Sequence, residues 1–119
     1  MGKLLNFITS THEKNRRNYL DRMINNKVKS MKIARKFDKN FWDGHRRYGY
    51  GGYNYIKNYW KPLAKKIIKK YNLSNKSSIL DIGCGKGFLL YEIMLILPNI
   101  KISGFDISSY AIINAKKEL

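Results

Sequence analysis

Acidic residues are scarce in this 119-residue chain: eight, against 24 Lys and Arg, for a formal net charge of +16. Cysteine is scarcer still. Cys84 stands alone, so no internal disulfide can form and a disulfide-stapled secreted scaffold is excluded. Apolar runs are short, and none approaches the roughly 18 residues that a membrane-crossing helix needs. The N-terminal Leu4-Leu5-Asn6-Phe7-Ile8 is too brief and too interrupted for a signal peptide. Met1-Gly2-Lys3 opens like a myristoylation signal, but that signal requires Ser or Thr at position 6, where Asn6 stands. Together these absences make a reducing cytoplasm the expected compartment.

What is present is enough for a folded domain: 44% hydrophobic and 13% aromatic residues can bury a core. The positive charge is unevenly spread. Residues 1–78 hold twenty basic residues against Glu13, Asp21, Asp38 and Asp43, whereas residues 79–119 balance four Lys against four acids. A basic block of this kind concentrates polyanions through counterion release and long-range steering. Against a dedicated nucleic-acid surface stands the composition. Lys supplies 18 of the 24 basic residues and Arg only six, whereas bidentate recognition of phosphates and bases favours Arg. Abundant Ile and Asn beside the Lys match a drift toward A/T-rich codons. A nucleic-acid partner is therefore possible but not favoured.

No internal repeat is visible, and the chain divides into four stretches. From about Thr11 to Phe37, Leu20, Ile24, Val28, Met31 and Ala34 recur at three- and four-residue steps, which predicts one amphipathic helix. Arg16, Arg17, Arg22, Lys29, Lys32, Arg35 and Lys36 fall largely off that stripe, as a solvated basic face. Asp38 to Tyr59 has neither period but is dense in Gly and aromatics, which predicts an ordered loop or a lid. A short helix entered at Trp60-Lys61-Pro62 then sets Leu63, Ala64, Ile67, Ile68 and Tyr71 against a row of lysines. After the polar connector Ser74 to Ser78, the pattern reads strand, Gly-rich turn, helix, strand, helix. Ile79-Leu80-Asp81-Ile82 is the first strand, read as buried and parallel. Phe88, Leu89, Ile93, Met94 and Leu97 keep helical spacing up to Pro98-Asn99, and Ile100 to Ile107 forms the second strand. Ser108 or Ser109 caps a last helix through Ala115. Strand, helix and strand within about 28 residues make a βαβ unit, right-handed by the general rule.

The turn Asp81-Ile82-Gly83-Cys84-Gly85-Lys86-Gly87 carries the chemistry. At the carboxyl edge of such a sheet a strand-to-helix turn is where ligands bind, and glycine allows close approach where a Cβ would block it. The N–H groups that open the next helix are expected to favour a negative group. Spacing tests the alternatives. A dinucleotide fingerprint beginning at Gly83 would need Gly at position 88, where Phe88 stands, and a P-loop would need Lys followed by Ser or Thr, whereas Lys86 precedes Gly87. Asp106 lies 23 positions after Gly83, near the ~20-residue offset of a ribose-binding acid. Cys84 reads as a small residue of the turn and not as a nucleophile.

The run Asp81-x-Gly83-x-Gly85-x-Gly87 resembles motif I of class I S-adenosylmethionine-dependent methyltransferases, where it surrounds the methionine part of the cofactor. The resemblance extends to Gly104-Phe105-Asp106-Ile107-Ser108, similar to the end of that family's second strand. It implies that Asp106 accepts hydrogen bonds from the ribose hydroxyls and that Ile107 packs on adenine. The implied cofactor-binding set is Asp81, Gly83, Cys84, Gly85, Gly87, Asp106 and Ile107, with S-adenosylmethionine as cofactor and no metal. The tract from Asp43 to Tyr55, followed by Trp60, is also similar to a segment of a group of bacterial methyltransferase-domain proteins. Its Tyr rings could face the sulfonium or an acceptor, or simply pack the loop onto the domain.

The expected fold is α/β: a Rossmann-like methyltransferase sandwich, incomplete, behind a helical basic N-terminal extension. Residues 1–60 form the extension with its Gly/Tyr-rich loop, and residues 61–119 the first part of the domain. That family's sheet has seven strands and this sequence supplies two, which suggests a fragment of a longer protein with little activity by itself. The implied function is methyl transfer to an acceptor, expected to be a small molecule. An RNA-directed methyltransferase or RNA-binding module, and a cofactor-binding subunit without chemistry, are the rival readings. No catalytic residue is assigned; His45, Asp43 and the Tyr residues of the tract are the candidate acceptor-side groups.

Overall fold

The run Ser78–Ile82 forms β1 and Lys101–Phe105 forms β2, and they pair in parallel with Ile79 opposite Ile102 and Ile82 opposite Phe105. A parallel pair needs a crossover. A helix, Phe88–Ile96, provides it and packs back on the sheet over the buried Ile93 and Ile100. The helix Lys61–Tyr71 lies beside it, with Ala64 fully buried and Ile68 and Leu73 against the same core. Its start carries Pro62, and its end is set by Asn72 in the left-handed conformation, φ 49°, whose N–H donates to the Ile68 carbonyl. These parts follow the expected order.

The computed structural model describes residues 2–14, 18–24 and 26–119. In chain order its helices are α1 (Ser10–Glu13), α2 (Tyr19–Ile24), α3 (Lys27–Ala34), α4 (Lys39–Trp42), α5 (Lys61–Tyr71), α6 (Phe88–Ile96) and α7 (Ser109–Ile113). No described helix is long and apolar enough to cross a membrane.

The single helix expected from Thr11 to Phe37 is not formed. Among the described residues three short ones stand there, and Asn26, at φ 50° before α3, is a left-handed residue that a continuous helix cannot contain. The apolar stripe finds no core: Leu20, Ile24 and Val28 are each about 70% exposed, and Met31 is exposed as well. Periodicity creates an apolar face, but tertiary packing is what makes a helix persist over its length. Arg16 and Arg17 lie outside the described residues, as does the Arg22 side chain.

Within the Gly-rich tract the structure adds α4, which the sequence pattern does not reveal. Asp38 caps it by accepting from the Asn40 N–H at 2.8 Å. The strands are also less enclosed than their apolar runs suggest. Ile79 and Ile102 face the α5–α6 core, whereas Leu80, Ile82 and Phe105 are 62%, 77% and 63% exposed. Both packed helices cover the same side of the sheet, so an all-apolar strand shows one face to solvent.

Ser108 caps α7, its Oγ accepting from the Ala111 N–H at 3.0 Å, and the helix ends at Ile113 rather than Ala115. The same Oγ accepts from the Trp42 indole N–H at 2.7 Å and donates to the Phe37 carbonyl. Ser108→Ala removes the cap and orphans a buried indole donor, so we expect a loss of about 2 kcal/mol in urea unfolding.

Candidate functional site

At the carboxyl edge of β1 the chain turns through Gly83, Gly85 and Gly87, all at positive φ (88°, 58° and 73°). Their roles differ. A Cβ at Gly85 would meet the Trp42 ring at 2.9 Å and one at Gly87 would strike the Leu119 side chain, whereas one at Gly83 would meet nothing within 4 Å. Gly83 thus bares its backbone to open space, and Gly85 and Gly87 let other parts of this chain approach.

The turn uses its own donors. Gly83 and Cys84 donate N–H bonds to the Phe105 carbonyl at 2.6 and 3.1 Å, Gly87 donates to the Cys84 carbonyl, and Gly85 donates to Asp106 Oδ2 at 2.8 Å. Asp106 Oδ1 accepts from the Ser108 N–H at 2.8 Å. Asp106 therefore bridges the ends of the two strands. Each of its oxygens holds one protein donor and has lone-pair capacity for another. Burial, and then the Asp106 charge, push the Asp81 carboxyl above its usual range. A carboxyl raised by a neighbouring carboxylate favours a cation or a cluster of donors beside it. Ile107, next to Asp106, is 76% exposed and offers an apolar platform.

Cys84 is half-buried, its thiol pushed up by burial and by the charges of Asp81 and Asp106. That is the reverse of nucleophile activation. It packs instead against Gly104 of β2, where a Cβ would stand 2.7 Å from its sulfur.

The Gly/Tyr tract folds onto this turn. Asp43 accepts from Lys86 Nζ at 2.8 and 2.9 Å, from the Tyr110 hydroxyl at 2.8 Å and from the Tyr53 N–H at 3.0 Å. Lys86 is almost wholly buried, with its side chain 6% exposed. Glu92, fully buried on α6, accepts from the Tyr55 hydroxyl at 2.7 Å and from the Asn58 N–H at 3.0 Å. Rings complete the contact: Trp42 stacks on Tyr50, and Tyr53 on Phe88 at 4.9 Å. Asp43 is thus engaged by Lys86. His45 is exposed, its Nδ1 accepting from the Arg47 N–H at 3.2 Å.

Lys86, Glu92 and Tyr110 are not singled out by sequence reasoning. The available signal is two charged residues, Lys86 in the Gly-rich turn and Glu92 in an apolar helix start, where burial demands a partner.

The sheet edge, the Gly turn and the bridging acid all fall within one stretch of sequence. Residues 73–119 match a methyltransferase domain. Two curated relatives, both named rRNA adenine N-6-methyltransferase and both from Bacteroides fragilis, are 45% identical to this chain over 40 residues. Those residues are 34% of this chain, and the chain spans 15% of the length of these relatives. No solved structure matches it significantly.

Proposed function

We infer that the methyltransferase segment binds S-adenosylmethionine at the edge formed by Asp81, Gly83, Cys84, Gly85, Gly87, Asp106 and Ile107, and belongs to an enzyme that methylates an acceptor. The observation that carries this reading is the open backbone of Gly83 at the strand edge, beside Asp81 and the strand-bridging Asp106. S-adenosylmethionine supplies, when bound, the methyl group for in-line transfer to an acceptor N, O, S or C. The residues here do the holding. Asp106 has lone pairs left for ribose hydroxyls, Asp81 suits the positive methionine end, and Ile107 gives adenine an apolar surface. Gly83 lets the ligand reach the backbone.

A small-molecule acceptor fits the aromatic wall of Tyr50 and Tyr53, which packs on the buried Trp42 beside Gly85 of the turn. An RNA acceptor is the second reading, supported by the name of the relatives and by the basic residues 1–78. In this reading the chain comprises a basic extension (1–60) and the start of the domain (61–119).

Calorimetry with S-adenosylhomocysteine tests the cofactor assignment. Gly83→Ala is the informative variant. Its methyl meets no protein atom, so the strain of positive φ costs only about 1 kcal/mol of stability, while the ligand face is obstructed. Affinity should fall at least about tenfold, the equivalent of 1.4 kcal/mol of binding free energy. Equal affinity in the variant and the parent chain overturns the assignment.

A further inference from the structure

Between α2, α3 and the Gly/Tyr tract lies a groove of about 910 Å³. Its walls combine two chemistries. Tyr19, Tyr48, Tyr50 and Phe41 line it, with Tyr19 68% and Tyr50 40% exposed, so ring surface is accessible from solvent. Lys27 and Arg47 line it as well, and among the described residues the ion pairs are Lys86–Asp43 and Lys116–Glu118, neither of which involves them. Among the described residues of the lining, Asp21 is the one carboxylate, against Lys27, His45, Arg46 and Arg47. Arg46 is committed, donating to the Tyr50 carbonyl at 2.6 Å and so fixing the wall that presents the ring.

The geometry points to a nucleotide-binding groove: a base stacks on the Tyr rings while Lys27 and Arg47 hold its phosphate. An acidic peptide would satisfy the cations but leave the ring faces unused. Exposed rings interleaved with cations are the arrangement that binds bases and phosphates without sequence preference. The ligand chemistry, a phosphate-bearing base, is common to a free nucleotide and to a strand of RNA. The groove needs no methyl transfer to act in this way.

The test is fluorescence anisotropy on the 119-residue chain with a labelled eight-nucleotide single-stranded RNA, with adenosine monophosphate as competitor. We expect saturable binding, and a fall of at least about tenfold in affinity in the Lys27→Ala/Arg47→Ala variant, with the log–log salt slope reduced by roughly 0.7 because the phosphate they hold is no longer neutralised. Both sites are exposed, so this variant should fold. Tyr19→Ala, equally exposed, should weaken binding at least about fivefold. Competition at concentrations comparable to the strand assigns the groove to free nucleotides, and strand binding that resists the monophosphate assigns it to RNA. Absence of saturable binding by either, or an unchanged affinity and salt slope in the double variant, overturns the proposal. Calorimetry with S-adenosylhomocysteine on the same preparation fails or succeeds separately, so the two readings are distinguishable.

Discussion

Asp106→Ala should reduce S-adenosylhomocysteine affinity by two to three orders of magnitude. A carboxylate that accepts two ribose hydroxyls contributes about 1.5–3 kcal/mol per charged hydrogen bond, so removing both is worth roughly 3–4 kcal/mol even after partial rehydration. The alanine also abandons the Gly85 and Ser108 N–H groups that Asp106 now receives at 2.8 Å. Some stability is therefore lost together with affinity. Asp106→Asn separates the two effects: its amide oxygen can still accept one of these backbone bonds, so the fold is largely kept while the charge proposed to attract the ribose hydroxyls is gone. Calorimetry against urea unfolding on both variants distinguishes them. Unchanged affinity in Asp106→Ala removes the ribose role.

The second large effect is expected at the Lys86–Asp43 pair, and it is asymmetric. Lys86 is 6% exposed and Asp43 23%, so the two partners do not suffer equally when left alone. Asp43→Leu leaves a buried ammonium without its counter-charge and should cost about 3 kcal/mol, at the lower end for broken buried pairs because the long Lys stem can reach toward water. Lys86→Met leaves Asp43 with the Tyr110 hydroxyl, the Tyr53 N–H and access to solvent, and should cost less. The double variant should recover much of the loss. Additive losses in the cycle would show the pair to be energetically uncoupled.

The pair also sets an acid limit. Burial by itself would raise the Asp43 carboxyl, but the bonds from Lys86, Tyr53 and Tyr110 and the Lys86 charge together hold it below its ordinary value. A carboxyl depressed in the folded state stabilises the protein above its unfolded pKa, near 3.9, and that contribution disappears as pH falls through the lower folded value. The stability gap between the parent chain and Asp43→Leu should therefore be full at pH 7 and narrow below pH 4. A gap independent of pH would assign the loss to packing alone.

The order of β1, turn, α6 and β2 is legible in the sequence because each step has a local cause. Apolar runs end in glycines, helical spacing runs from Phe88 to Leu97, Pro98 halts it, and Asp106 stands at a defined offset from Gly83. The helix expected over residues 11–37 fails because its stripe is a local pattern whose fate depends on whether something covers it. Here the stripe residues Leu20, Ile24 and Val28 remain exposed. α4 escapes a reading by pattern since four residues are too few to display a period.

By itself, then, the sequence determined the Gly-rich turn between strand and helix and the position of Asp106 beside it, because backbone conformation and strand-to-helix spacing are properties of neighbouring residues. Only the tertiary structure decided what the Asp43 to Tyr55 tract does. Its aromatic and Gly-rich composition is compatible with a free lid or a packed wall. The choice was made by charges 43 and 37 positions away in the chain, where Lys86 seeks a counter-ion and Glu92 seeks the Tyr55 hydroxyl because neither can remain buried unpaired.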